Sequence, residues 1–97
     1  MSVPYQIANI DLNDQVECVY REGAYEKRWM APRYGISVVG YANSCRNEWI
    51  VPVESVHDLT HPYAAAVRVI KRDAPHRTVI GARLWDAKAR VHFTIAA

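Results

Sequence analysis

Apolar and polar residues alternate with a period of two through most of this chain, the pattern of strands buried on one side. VECVYREGAYEKRWM, from Val16 to Met30, carries the alternation on both sides of a glycine. It predicts a hairpin turning at Glu22-Gly23, where glycine permits positive φ. That register sets Tyr20 opposite Tyr25, Cys18 opposite Lys27 and Val16 opposite Trp29, and couples Glu17 with Arg28 on the other face. The preceding PYQIANIDL reads as one more strand. YGISVVGYA and EWIVPV, bounded by the polar NSCRN, predict a second hairpin. Pro52 has no amide to donate, so its strand is expected at a sheet edge or a bulge.

The cleanest alternation lies in TVIGARLWDAKARVHFTIA, from Thr78 to Ala96. A turn at Asp86-Ala87 pairs Leu84 with Ala89, Ala82 with Val91 and Ile80 with Phe93 along one apolar face. The opposite face then holds Arg83, Trp85, Lys88, Arg90, His92 and Thr94, with Arg83 directly across from Arg90. Between the hairpins, HPYAAAVRVIKRDAP changes period. Tyr63, Ala66, Val67 and Ile70 fall at i, i+3, i+4 and i+7, the stripe of an amphipathic helix. Pro62 suits its first position, and Lys71 and Arg72 complement the dipole at its end. A rival reading takes AAVRVIKR as a strand on the alternation of Val67 and Val69; the helix is preferred. The fold expected is α+β, with an antiparallel sheet of two to three hairpins and one main helix, about residues 62–72, on one face.

Ninety-seven residues, half of them apolar, suffice for one domain spanning 1–97. Two cysteines, Cys18 and Cys45, are too few for a disulfide scaffold. The start, MSVPYQIANIDLNDQ, lacks a basic region followed by an apolar one, and no apolar run approaches the ~20 residues of a membrane span. These features lead us to expect a cytoplasmic protein with no membrane contact. The net charge of +2 is unevenly spread. Residues 1–67 hold five basic and eight acidic side chains, and 68–97 hold seven and two, giving −3 and +5. A basic half suits a phosphate or an acidic protein partner.

Candidate chemistry is sparse. His57 and His61 stand four apart in VESVHDLTHPYAAA, a spacing that joins two imidazoles on one helical face. Pro62 spoils this, because the residue before a proline is pushed out of the helical region. The stretch reads instead as punctuation: Ser55 and Asp58 resemble a capping box for one short turn, and Pro62 opens the longer helix. Cys45, beside Arg46, is the one thiol placed for nucleophilic work, but no known nucleophile signature surrounds it. No G-x-S-x-G motif and no cluster of glycines for a phosphate loop is present.

Two features point to binding rather than catalysis. A basic face of Arg83, Trp85, Lys88, Arg90 and His92, with Arg68 and Arg72 from the element before it, could meet a partner. Ten aromatics are also more than so small a core hides, Trp29, Trp49 and Trp85 above all. The expected function is a small non-enzymatic binding protein, of accessory regulator or inhibitor type, with a macromolecular and preferably protein partner. No cofactor and no metal is expected. The alternatives are a nucleic-acid-binding module using the C-terminal basic face, and a small Cys/His enzyme or metal protein using Cys45, His57 and His61. Homo-oligomerisation stays open.

Overall fold

A computed structural model describes residues 2–96. Strand β1 (Val3–Tyr5) and a 3-10 turn at Ile7–Asn9 replace the longer first strand expected. The hairpin β2 (Gln15–Glu22) and β3 (Tyr25–Pro32) follows, then the hairpin β4 (Tyr34–Ala42) and β5 (Cys45–Pro52). Two helices, α1 (Val56–Thr60) and α2 (Pro62–Asp73), lead to β6 (Arg77–Asp86) and β7 (Val91–Ile95). The fold is α+β, as the patterning predicts. Five strands form one mostly antiparallel sheet in the order β1-β7-β6-β4-β5, and β2 with β3 form a separate two-stranded ribbon. Pro52 does lie on the edge strand β5.

The core forms on one face of the five-stranded sheet. β4 turns Tyr34, Ile36 and Val38 inward, beside Leu84 of β6, Phe93 of β7 and Val51 of β5. Helix α2 covers them with Ala65, Ala66, Val69 and Ile70. That stripe is rotated from the expected one. Tyr63 stands exposed, because the small alanines let the helix approach the sheet on their side. Gly40 marks the tightest approach: a Cβ there would collide with the Thr78 carbonyl, where β6 bulges against Val39 and Gly40. The bulge turns Ile80 outward, leaving it 55% exposed, although strict alternation places it in the core.

Two registers differ from expectation. The first hairpin turns at Gly23-Ala24, with Gly23 at φ +58°, so Cys18 faces Trp29 and Tyr20 faces Lys27. In the last hairpin a four-residue loop, Ala87–Arg90, replaces the two-residue turn, and Leu84 pairs with Phe93. The cause is Asp86, whose Oδ1 accepts from the Lys88 and Ala89 amides and holds the loop open. Arg90 therefore sits in the loop, at φ +58°, and does not face Arg83.

Candidate functional site

The β2–β3 ribbon stands outside the packed globule as an arm. Every residue from Val19 to Met30 is exposed. Alternation gives the ribbon two unlike faces. Tyr20, Tyr25, Lys27 and Trp29 share the first, together with half-buried Cys18. Tyr20 and Tyr25 meet edge to face at 6.4 Å, and the Lys27 ammonium lies 5.8 Å from the Trp29 ring centre. Tyr25 is 58% exposed and Trp29 43%. The second face is a ladder of charge between Val19 and Met30. Arg21 donates to Glu26 at 2.6 Å, and Arg28 donates to Glu26 at 3.1 Å and to Glu17 at 2.6 Å. The expected Glu17–Arg28 couple thus forms, diagonally, with Arg28 opposite Val19.

A buried ionic hub anchors the arm. Asp86 has no solvent exposure, yet all its lone pairs are engaged. Arg33, just past the arm, grips it with two parallel bonds of 3.0 and 2.9 Å and also donates to Asp14, just before the arm, at 3.1 Å. The Tyr5 hydroxyl adds a bond of 2.7 Å to the same carboxylate. Burial alone would raise the Asp86 pKa. The Arg33 guanidinium, the Tyr5 hydroxyl and two loop amides outweigh it and hold the carboxyl well below the usual range. The same pairing keeps Arg33 firmly charged. Backbone bonds from Arg33 N to Asp14 O and from Ala87 N to Arg33 O complete the root.

The basic residues read from the sequence are divided among three places. Arg83, Trp85 and His92 lie on the sheet face away from the helices, where Trp85 leans on His92 at 4.9 Å. Lys88 and Arg90 sit in the β6–β7 loop and border a groove with Val16, Cys18 and Val19 at the base of the arm. Arg68 and Arg72 belong to α2 and are engaged by acids. Arg68 donates to buried Asp58 at 3.0 Å, and Arg72 to Glu54 at 3.1 Å and Asp73 at 2.8 Å. Burial opposes ionisation of Asp58, but the Glu54 amide and Arg68 more than compensate and lower its pKa.

The remaining candidates do not converge. His57 and His61 stack on each other at 4.4 Å, with His61 at the cap between α1 and α2. Ser55 caps α1 by position alone, while Asp58 accepts from the Glu54 amide, one residue earlier than a capping box uses. Both cysteines are free thiols. Among the described residues no three His, Cys, Asp or Glu side chains gather around a point where a metal ion would sit. Nor is any helix among them long and apolar enough to cross a membrane.

The arm itself could have been suspected from the sequence. VECVYRE and YEKRWMA place a charged residue on both of their faces, so neither face can lie on an apolar core. Arg33 offered no such signal, since its partner is 53 positions away. The three tryptophans also separate: Trp49 packs on the core, Trp85 on His92, and Trp29 remains on the arm. Comparison with protein-family models, with curated proteins and with solved structures finds no match to this chain.

Proposed function

We propose that this chain is a small non-enzymatic binding protein, of regulator or inhibitor type, that docks its β2–β3 arm on a protein partner. The observation that carries the reading is the combination of exposed Tyr20, Tyr25, Trp29 and Met30 on a ribbon with no core beneath it. Tyrosine, tryptophan and methionine are the residues enriched at protein interfaces, and rigid aromatics lose little entropy on docking. Charge favours protein over nucleic acid as the partner of the arm. Between Gln15 and Pro32 three acids (Glu17, Glu22, Glu26) balance three bases (Arg21, Lys27, Arg28). Both arginines are already held by glutamates. A ribbon that tracks phosphates needs unpaired cations instead.

A second reading rests on Arg83, Lys88 and Arg90, which make no ion pair among the described residues. These could contact a nucleic-acid backbone, although Trp85 is occupied by His92 rather than free to stack a base.

One experiment separates the two. Tagged protein is used to capture partners from its native host, with and without nuclease, beside Tyr25→Ala/Trp29→Ala and Arg83→Ala/Arg90→Ala variants. The arm reading expects a specific protein, resistant to nuclease, that disappears with the aromatic variant. Capture that vanishes with nuclease or with the arginine variant, and survives loss of the aromatics, overturns it.

A further inference from the structure

Strand β6 is only partly covered. It pairs with β4 from Arg77 to Asp86, but with β7 only at Leu84, Trp85 and Asp86. Beyond Phe93, β7 swings away to run parallel with β1, pairing Ile95 with Tyr5. Among the described residues, Arg77–Arg83 therefore have a neighbour on one edge only. The fork between the two strands opens into a cavity of about 550 Å³, walled by Ala82, Leu84, Phe93 and Ile95 and closed below by Leu59 and Pro62. Pockets of this size hold small ligands or buried side chains.

The bare edge keeps its hydrogen-bonding capacity. The Thr78 carbonyl faces β4, against Gly40, so the next carbonyl, of Val79, faces the open side. There it is met by the Tyr63 hydroxyl at 3.3 Å, a side chain standing in for a strand. The Leu84 carbonyl also faces β7, where His92 Nδ1 lies 3.3 Å away. Two residues earlier, Ala82 presents its N–H and C=O to the gap itself. Ile80 and Tyr63, both exposed, border the same edge. Among the described residues, Arg83 is the one charged side chain lining the cavity, and it has no carboxylate partner.

From these features we infer that the fork is a docking site for an extended peptide segment, which adds to β6 as a strand. It would place apolar side chains in the cavity and a carboxylate at Arg83. Main-chain bonds to an open edge supply affinity in such additions, and alternate side chains entering pockets supply selectivity. A second copy of β6 suits the site poorly, because it would bring another Arg83, and its one carboxylate, Asp86, is buried and already held by Arg33. This site is separate from the arm, and neither surface depends on the other.

The test is a titration of isotope-labelled protein with acetyl-Val-Glu-Val-Glu-Val-Glu-amide, its lysine counterpart, and decanoate. We expect the glutamate peptide to shift the amides of Ile80, Ala82 and Ile95 and to slow exchange at Ala82 by about tenfold or more. Arg83→Glu should weaken that peptide by about tenfold and favour the lysine peptide instead, while Trp29→Ala should leave both unchanged. Equal binding of the two peptides, no shifts at millimolar peptide, or shifts from decanoate alone would each overturn the inference. So would sedimentation as a dimer with Ala82 already protected in the free protein.

Discussion

The hairpins β2–β3 and β4–β5 are nearly equal in length, both turn through two residues, and they follow one another in the chain, yet they have opposite fates. β4 carries Tyr34, Ile36 and Val38 on one uncharged face, and all three are fully covered. The arm has no uncharged face, and from Val19 to Met30 neither side of it is covered. Pairing between strands is thus the same in both; what differs is whether one face is free of charge. A lone hairpin is marginal in water, so the arm must be held from its root, and Asp86 with Arg33 does this. One region is ordered by burial of apolar surface, the other by an ionic clamp and side chains paired across the ribbon.

The largest expected effect comes from breaking the clamp. Arg33→Met strands the Asp86 carboxylate without its guanidinium and should cost about 3–5 kcal/mol, read as a fall in melting temperature and denaturant midpoint. Phe93→Ala, which leaves a cavity between Tyr5 and Tyr34, belongs to the same range of about 3–5 kcal/mol. If the clamp variant melts like the wild type, the root is not what orders the arm.

Acid should expose the same difference. The Asp86 pKa is lower in the folded chain than in the unfolded one, so the unfolded state takes up the proton first as pH falls. Its stabilising effect is complete above the unfolded value of about 4 and declines progressively below it. A plot of stability against pH should therefore fall below that point, and the fall should be shallower in Asp86→Asn. Asp58→Ala, which unties α1 from Arg68, should cost less, about 1–3 kcal/mol by chemical denaturation. Trp29→Ala should be smallest, within about 1 kcal/mol, since it removes only contacts across an exposed ribbon.

Much of the globule was legible because strands and helix reveal themselves by local period. The Pro62 start, the edge position of Pro52 and the uncharged face of β4 all follow from near neighbours in the chain. What escaped depends on distant meetings. Asp86 reads as a turn residue, and only the folded chain brings Arg33 and Tyr5 to it. Its grip lengthens the loop and moves Arg90 away from Arg83. Ile80 keeps the apolar alternation but is turned out by a bulge that β4 imposes. The buried stripe of α2 is turned by about one position from the one its period suggests, because alanine says little about which way it faces. The basic residues do not make one surface, because folding brings Glu54 and Asp58 to Arg68 and sets Glu54 and Asp73 on Arg72.

The most direct test removes the arm. Replacing Cys18–Trp29 with Asn-Gly joins Glu17 to Met30, which already face each other, through a tight turn. The account predicts that this shortened chain melts within a few degrees of the parent and no longer captures the protein partner. A shortened chain that fails to fold, or that still captures the same partner, contradicts it.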